Sequence, residues 1–68
     1  MNDLVGIDLD SIVAFKITNE HSDWIVEVLT DDDYDWHYVH TCKSKVEAIA
    51  YASALKYDYG LHNIPIYR

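Results

Sequence analysis

Four histidines, one cysteine and twelve carboxylates are the side chains of this 68-residue chain best suited to hold a metal or move a proton. His37, His40 and Cys42 lie close enough in sequence to suggest zinc, with His21 and His62 as distant completions. The spacing argues against it. In a strand His40 and Cys42 share a face while His37 points to the other, and neither C-x-x-C nor H-x-x-x-H occurs. Asp31, Asp33 and Asp35 reproduce the alternating carboxylates that open an EF-hand calcium loop. The loop then fails, because Trp36 stands where a glycine is needed and Cys42 where the bidentate glutamate belongs, and no helix precedes it. Cys42 as a nucleophile needs a partner histidine that the sequence does not place, and a lone cysteine more often fills core. Asp8 with Asp10, or Glu27 near the aspartate run, is an acid-base pair only inside a water-excluding cleft, and a chain this small offers little concavity. The residues therefore predict no catalytic group, no metal and no cofactor, and a protein that is not an enzyme.

The elements that carry these side chains are legible from their ends. Residues 44–60 (SKVEAIAYASALKYDYG) form the one long helix, 44–59, opened by a Ser44-x-x-Glu47 capping box and closed by Gly60 in the left-handed conformation. Val46, Ile49, Ala50, Ala54 and Tyr57 fall on one side of it and Ala48, Tyr51, Ala52, Leu55 and Tyr59 on nearly the opposite side. A helix on one sheet face needs a single apolar stripe. The side with Tyr51, Leu55 and Tyr59 is thus expected to need a cover: the N-terminal segment, a second subunit or a target. That makes it a candidate oligomer face.

Residues 12–18 (IVAFKIT) and 24–30 (WIVEVLT) read as strands from their β-branched content and alternation, and Trp36 to Thr41 or Cys42 as a third. The run 31–35 (DDDYD) is the hairpin tip. A three-residue tip places Trp36, Tyr38, His40 and Cys42 with Trp24 and Val26, while a two-residue tip places His37, Val39 and Thr41 there. The first is preferred, because it buries the larger side chains. Val5, Ile7 and Leu9 alternate as a short strand or an extended arm, and Ile64 and Ile66 around Pro65 suit a short edge strand. The order strand, strand, strand, helix, strand predicts a two-layer α+β domain, an antiparallel sheet of three to five strands with the helix on one face. The whole of residues 1–68 is expected to be one domain, without repeat, linker or low-complexity segment.

Half of the residues are apolar, too many for a disordered tail, so the chain should fold. No apolar run approaches a membrane span, the first residues are not the basic start of a signal peptide, and Cys42 has no intramolecular partner. A reducing cytoplasm is the expected compartment. Net charge is −7 and unevenly spread: residues 1–35 carry ten acids against Lys16, −9, while residues 36–68 carry two acids against four bases, +2. Such a field repels nucleic-acid phosphates and anionic lipid and attracts basic protein surfaces. Six tyrosines and two tryptophans supply rigid contact area among the acids.

Trp24-x-Val26, then Thr41 and Glu47-Ala48 followed by Ala50 and Ala52, resembles small bacterial domains in which a W-x-V strand precedes a helix with a T-x-x-E-A-like start. In size, acidity and aromatic content the chain is also similar to small phage-encoded inhibitors of bacterial defence, including anti-CRISPR proteins, several of which mimic DNA. This resemblance implies that the acids stand in for phosphates. The expected function is a protein-binding inhibitor whose Asp31, Asp32, Asp33, Tyr34 and Asp35, with Glu20, Asp23 and Glu27, dock on a basic nucleic-acid-binding surface. The alternative is a homodimeric bacterial accessory domain.

Overall fold

A computed structural model of the chain describes Leu4 and residues 6–68. Its elements are β1 (Ile12–Glu20), β2 (Asp23–Thr30), β3 (Trp36–Cys42), α1 (Lys45–Asp58) and β4 (Ile66–Tyr67), with a 3-10 turn at Leu9–Ser11 ahead of β1. The protein is a small α+β domain, a four-stranded sheet in the order β3-β2-β1-β4 packed against one helix. Of the alternation expected near the N-terminus, Val5 lies outside the described residues. Ile7 is in a bend and Leu9 starts the 3-10 turn, so no strand precedes Ile12 among the described residues.

β1 and β2 pair antiparallel from Glu20 opposite Asp23, across a two-residue turn in which His21 takes a φ of 59°. β2 and β3 pair antiparallel as expected, but their register changes along the ladder: Val26 faces His40 while Glu27 faces Tyr38, leaving Val39 as a β-bulge. Both registers read from the sequence are therefore present, one on each side of the bulge. Cys42 and His40 lie beside Trp24 and Val26, as the preferred register requires, whereas nearer the tip His37 lies beside Val28. Trp36 and Tyr38 are displaced to the opposite face, with Leu29 and Glu27, which corrects the preferred register there. A bulge permits this because its extra residue reverses the pleat. A second irregularity at Val13 does the same in β1.

β4 runs parallel to β1, Phe15 pairing with Ile66 and Lys16 with Tyr67, so the sheet is mixed rather than wholly antiparallel. The single helix explains the direction. It returns the chain to the end where β3 began, so the strand after it must run as β3 does, and β3 is already parallel to β1 through their shared neighbour β2. Pro65 sits just before this two-residue edge strand, its carbonyl accepting from the Phe15 N–H at 2.8 Å.

The helix ends follow the sequence. Ser44 Oγ accepts from the Glu47 N–H at 3.1 Å, and its own hydroxyl contacts Glu47 Oε1 at 3.3 Å. At the other end Leu61 N donates to Lys56 O (2.7 Å) and Gly60 N to Tyr57 O (3.4 Å), a Schellman closure with Gly60 at φ 70°. Which side of the helix is buried corrects the expectation. Ala48, Ala52 and Leu55 face the sheet and join Phe15, Ile17, Val26, Val28 and Cys42 in the core, with Tyr51 and Tyr59 packed at its margin. Leu55 is buried within this chain's own core. The opposite side is the open one, with Val46 and Tyr57 each 77% exposed. Alanines on the buried side let the helix backbone approach the sheet closely, and Phe15 is fully buried in the core they share.

A Cβ at Gly60 meets nothing within 4 Å, so only its left-handed backbone opposes substitution. Gly60→Ala is expected to lower unfolding free energy by about 1 kcal/mol, with Gly60→Asn costing less. Ser44→Ala should cost about 1 kcal/mol through the lost cap. Urea denaturation with unchanged m-values checks all three.

Candidate functional site

The site is built on the loop that joins β2 to β3, and one carboxylate organises it. Thr30, buried as the last residue of β2, donates its hydroxyl to Asp33 Oδ1 at 2.7 Å, and the Asp35 N–H donates to the same oxygen at 3.0 Å. His37 Nε2 lies 3.0 Å from Asp33 Oδ2 and 3.2 Å from Thr30 Oγ1. The Trp36 N–H donates to Asp35 Oδ1 at 2.9 Å. The Thr30 hydroxyl bond, foremost, together with the Asp35 amide and His37, holds the Asp33 carboxyl below the usual aspartate range against a smaller opposing effect of desolvation. Tyr34, at a φ of 52°, projects from the apex and is 78% exposed.

A second chain segment is tied to this loop. The Asp31 N–H donates to Ser11 O at 2.8 Å, and Ser11 is held in turn by its hydroxyl to Asp8 O (2.7 Å) and its N–H to the same carbonyl (3.0 Å). Asp8 caps the 3-10 turn, accepting from the Asp10 N–H at 3.1 Å. An open cavity of about 180 Å³ forms between the two segments, bordered by Asp8, Ser11, Thr30, Asp32, Asp33 and His37. Asp8, Asp10, Asp31, Asp32, Asp33 and Asp35 thus gather at one end of the sheet. The sequence gives no sign of this meeting, because the tie is a backbone bond between residues twenty apart.

The eight expected partner-binding residues are not one face. Asp31, Asp32, Asp33, Tyr34 and Asp35 are together at the tip. Glu20 and Asp23 flank the turn at the other end of β2, roughly 25 Å away for a strand of eight residues, and Asp23 is paired with Lys43 at 3.6 Å. Glu27 lies mid-strand, 3.6 Å from Lys16 Nζ, which also sits 4.3 Å over the Trp36 ring.

The remaining candidate groups are dispersed. The bulge at Val39 brings His37 onto the same face as His40 and Cys42, contrary to a regular strand, yet each is occupied differently. His37 serves the tip, and His40 stacks on Tyr51 with centroids 4.2 Å apart. Cys42 is buried, and burial, with the Glu47 charge, pushes its thiol above the ordinary range, away from nucleophilic use. Asp33 and Asp35 spend carboxylate oxygens on their own loop, and no group of three histidine, cysteine, aspartate or glutamate residues is placed to hold a metal ion among the described residues. Thr30, His37 and Asp33 have the composition of a catalytic triad without its geometry: one imidazole nitrogen faces both partners, and the threonine proton goes to the carboxylate.

Fold and site together define a small α+β domain with an acidic tip at one end of its sheet. The chain matches no protein-family model, no curated protein and no solved structure.

Because the Asp33 value is depressed on folding, its bonds stabilise the protein above the unfolded aspartate pKa of about 4 and are lost as pH falls through the folded value. Asp33→Asn should therefore be less stable than the parent at neutral pH. The gap between the two denaturation midpoints should close as pH is lowered through the carboxylate range.

Proposed function

We propose that this chain is a non-enzymatic protein-binding domain that docks its acidic tip on a basic, nucleic-acid-binding surface of another protein. The reading is carried by one observation: a backbone tie joins two chain segments so that six aspartates crowd one end of a small sheet. Among the described residues none of the six is paired with a lysine or arginine. Their field remains available to a cationic groove, where it would speed association and make it salt-sensitive. Tyr34 adds an exposed aromatic contact at the apex, held out by the left-handed turn.

The similarity to small phage-encoded inhibitors supplies the setting: the target is a bacterial defence effector, and the aspartates act as DNA mimics that occupy its nucleic-acid groove. The same charge keeps the domain off nucleic acid and anionic lipid. No helix among the described residues is long and apolar enough to cross a membrane. With a buried free thiol, this fits action in the cytoplasm.

The test is competition. The domain should displace duplex DNA from a basic effector complex, with an apparent affinity that falls steeply as salt rises. Asp31→Asn, Asp32→Asn and Asp35→Asn combined, with Asp33 left in place to hold the loop, should weaken displacement roughly ten-fold or more. Failure to displace DNA from any such effector, or affinity indifferent to salt and to the triple substitution, overturns the reading.

A further inference from the structure

One helix seals one face of the sheet; on the other, Ala14 is buried while its neighbours are half-buried or exposed. Along that second face the paired residues of the strands form rows: Ala14, Leu29 and Trp36; then Tyr67, Lys16, Glu27 and Tyr38; then Thr18, Ile25 and Thr41. Ile25, Leu29 and Trp36 are half-buried and stand outside the core cluster, while Tyr38 is 62% and Tyr67 58% exposed. These five side chains surround two charges, Lys16 and Glu27, which lie opposite each other on adjacent strands at 3.6 Å. The face is therefore apolar, aromatic and locally neutral on a molecule of net charge −7.

We propose that this face is the interface of a homodimer, the occupant being a second copy of the chain. The argument is charge complementarity. A two-fold interface needs a patch complementary to itself, and one cation beside one anion at its centre meets that condition: a two-fold axis along the strands, between β1 and β2, sets Lys16 of each copy over Glu27 of the other. The strand spacings and the span from Ile25 to Leu29 give a patch roughly 14 Å across in each direction before side chains overhang. That is well below the roughly 800 Å² per partner of a standard interface, so the dimer is weak and becomes populated only toward millimolar concentration. The same axis brings both acidic tips to one end of the dimer, where they repel. Salt screens that repulsion, so the dimer tightens as salt rises, opposite in sign to the docking proposed for the tip.

Sedimentation equilibrium of the full chain, from micromolar to millimolar concentration at low and high salt, tests this. A monomer–dimer equilibrium strengthened by salt is expected. Tyr38→Glu should abolish it while the chain stays folded by far-UV circular dichroism, whereas Tyr57→Glu, on the open side of the helix, should leave it intact. Lys16→Glu should break the dimer and Lys16→Glu with Glu27→Lys should restore it, which a general loss of stability cannot mimic. The Asp31, Asp32 and Asp35 triple substitution should strengthen the dimer even as it weakens docking to a basic partner, so the two proposals fail separately. A wild-type monomer at high salt and millimolar concentration, a dimer that survives Tyr38→Glu, or a Tyr38-dependent complex with a different protein instead of a second copy would overturn it.

Discussion

Phe15 lies wholly buried in the core that the sheet shares with Ala48 and Ala52 of the helix, and the rest of the molecule is arranged around that core. A chain of this length cannot build a thick core, so its two layers must approach closely to exclude water. Ala48 and Ala52 provide the approach, Val28 pairs with Phe15 and Val26 with Ile17 across the sheet, and Leu55 and Leu4 complete the same core. Spending the one helix on this face has a structural consequence. The side of the sheet carrying Trp36, Tyr38 and Leu29 has no layer of its own among the described residues, and the outer side of the helix is left with Val46 and Tyr57 in solvent.

The two bulges decide what each face carries. Without the extra residue at Val39, continuing the register of Val26 and His40 would send Trp36 and Tyr38 to the core side and His37 to the outside. With it, the large aromatics go outward to meet Lys16, and the smaller, polar His37 turns toward Asp33 and Thr30. A single inserted residue thus both opens an aromatic surface on one side and furnishes the tip with its hydrogen-bonding partner. No local sequence signal marks Val39, since a β-branched residue suits a regular strand equally well, and for that reason only half of the hairpin register was legible.

What could be read in advance was what is decided locally. Ser44 and Gly60 mark the helix because caps depend on residues within one turn. The aspartate run marks the tip because no strand tolerates it. The faces of the helix were harder: alanine is apolar enough to be buried and small enough to be exposed, so Ala48 and Ala52 could not be ranked against Ala50 and Ala54 without knowing where Phe15 would sit. The direction of β4 follows from the helical crossover rather than from any property of Ile66 or Tyr67. Of the candidate site, the five tip residues stood together as expected, Glu20, Asp23 and Glu27 did not, and Asp8 and Asp10 joined through the Ser11 carbonyl, a bond that any residue in place of Ser11 would offer.

Charge gathers at the tip and apolar side chains on the open sheet face. Crowding aspartates at the tip costs self-repulsion, and the fold offsets part of it by giving the exposed Asp33 carboxylate hydrogen-bond donors in the Thr30 hydroxyl and the Asp35 amide. The others keep their charge in water, where repulsion is cheapest. On the open sheet face the opposite rule holds: Lys16 and Glu27 neutralise each other within a ring of aromatic and aliphatic side chains, so that removing this face from water strands no unpaired charge. A partner meeting the tip must bring positive charge, and one meeting the sheet face must bring apolar area with a matched ion pair. Two surfaces with such different demands do not suit the same kind of partner.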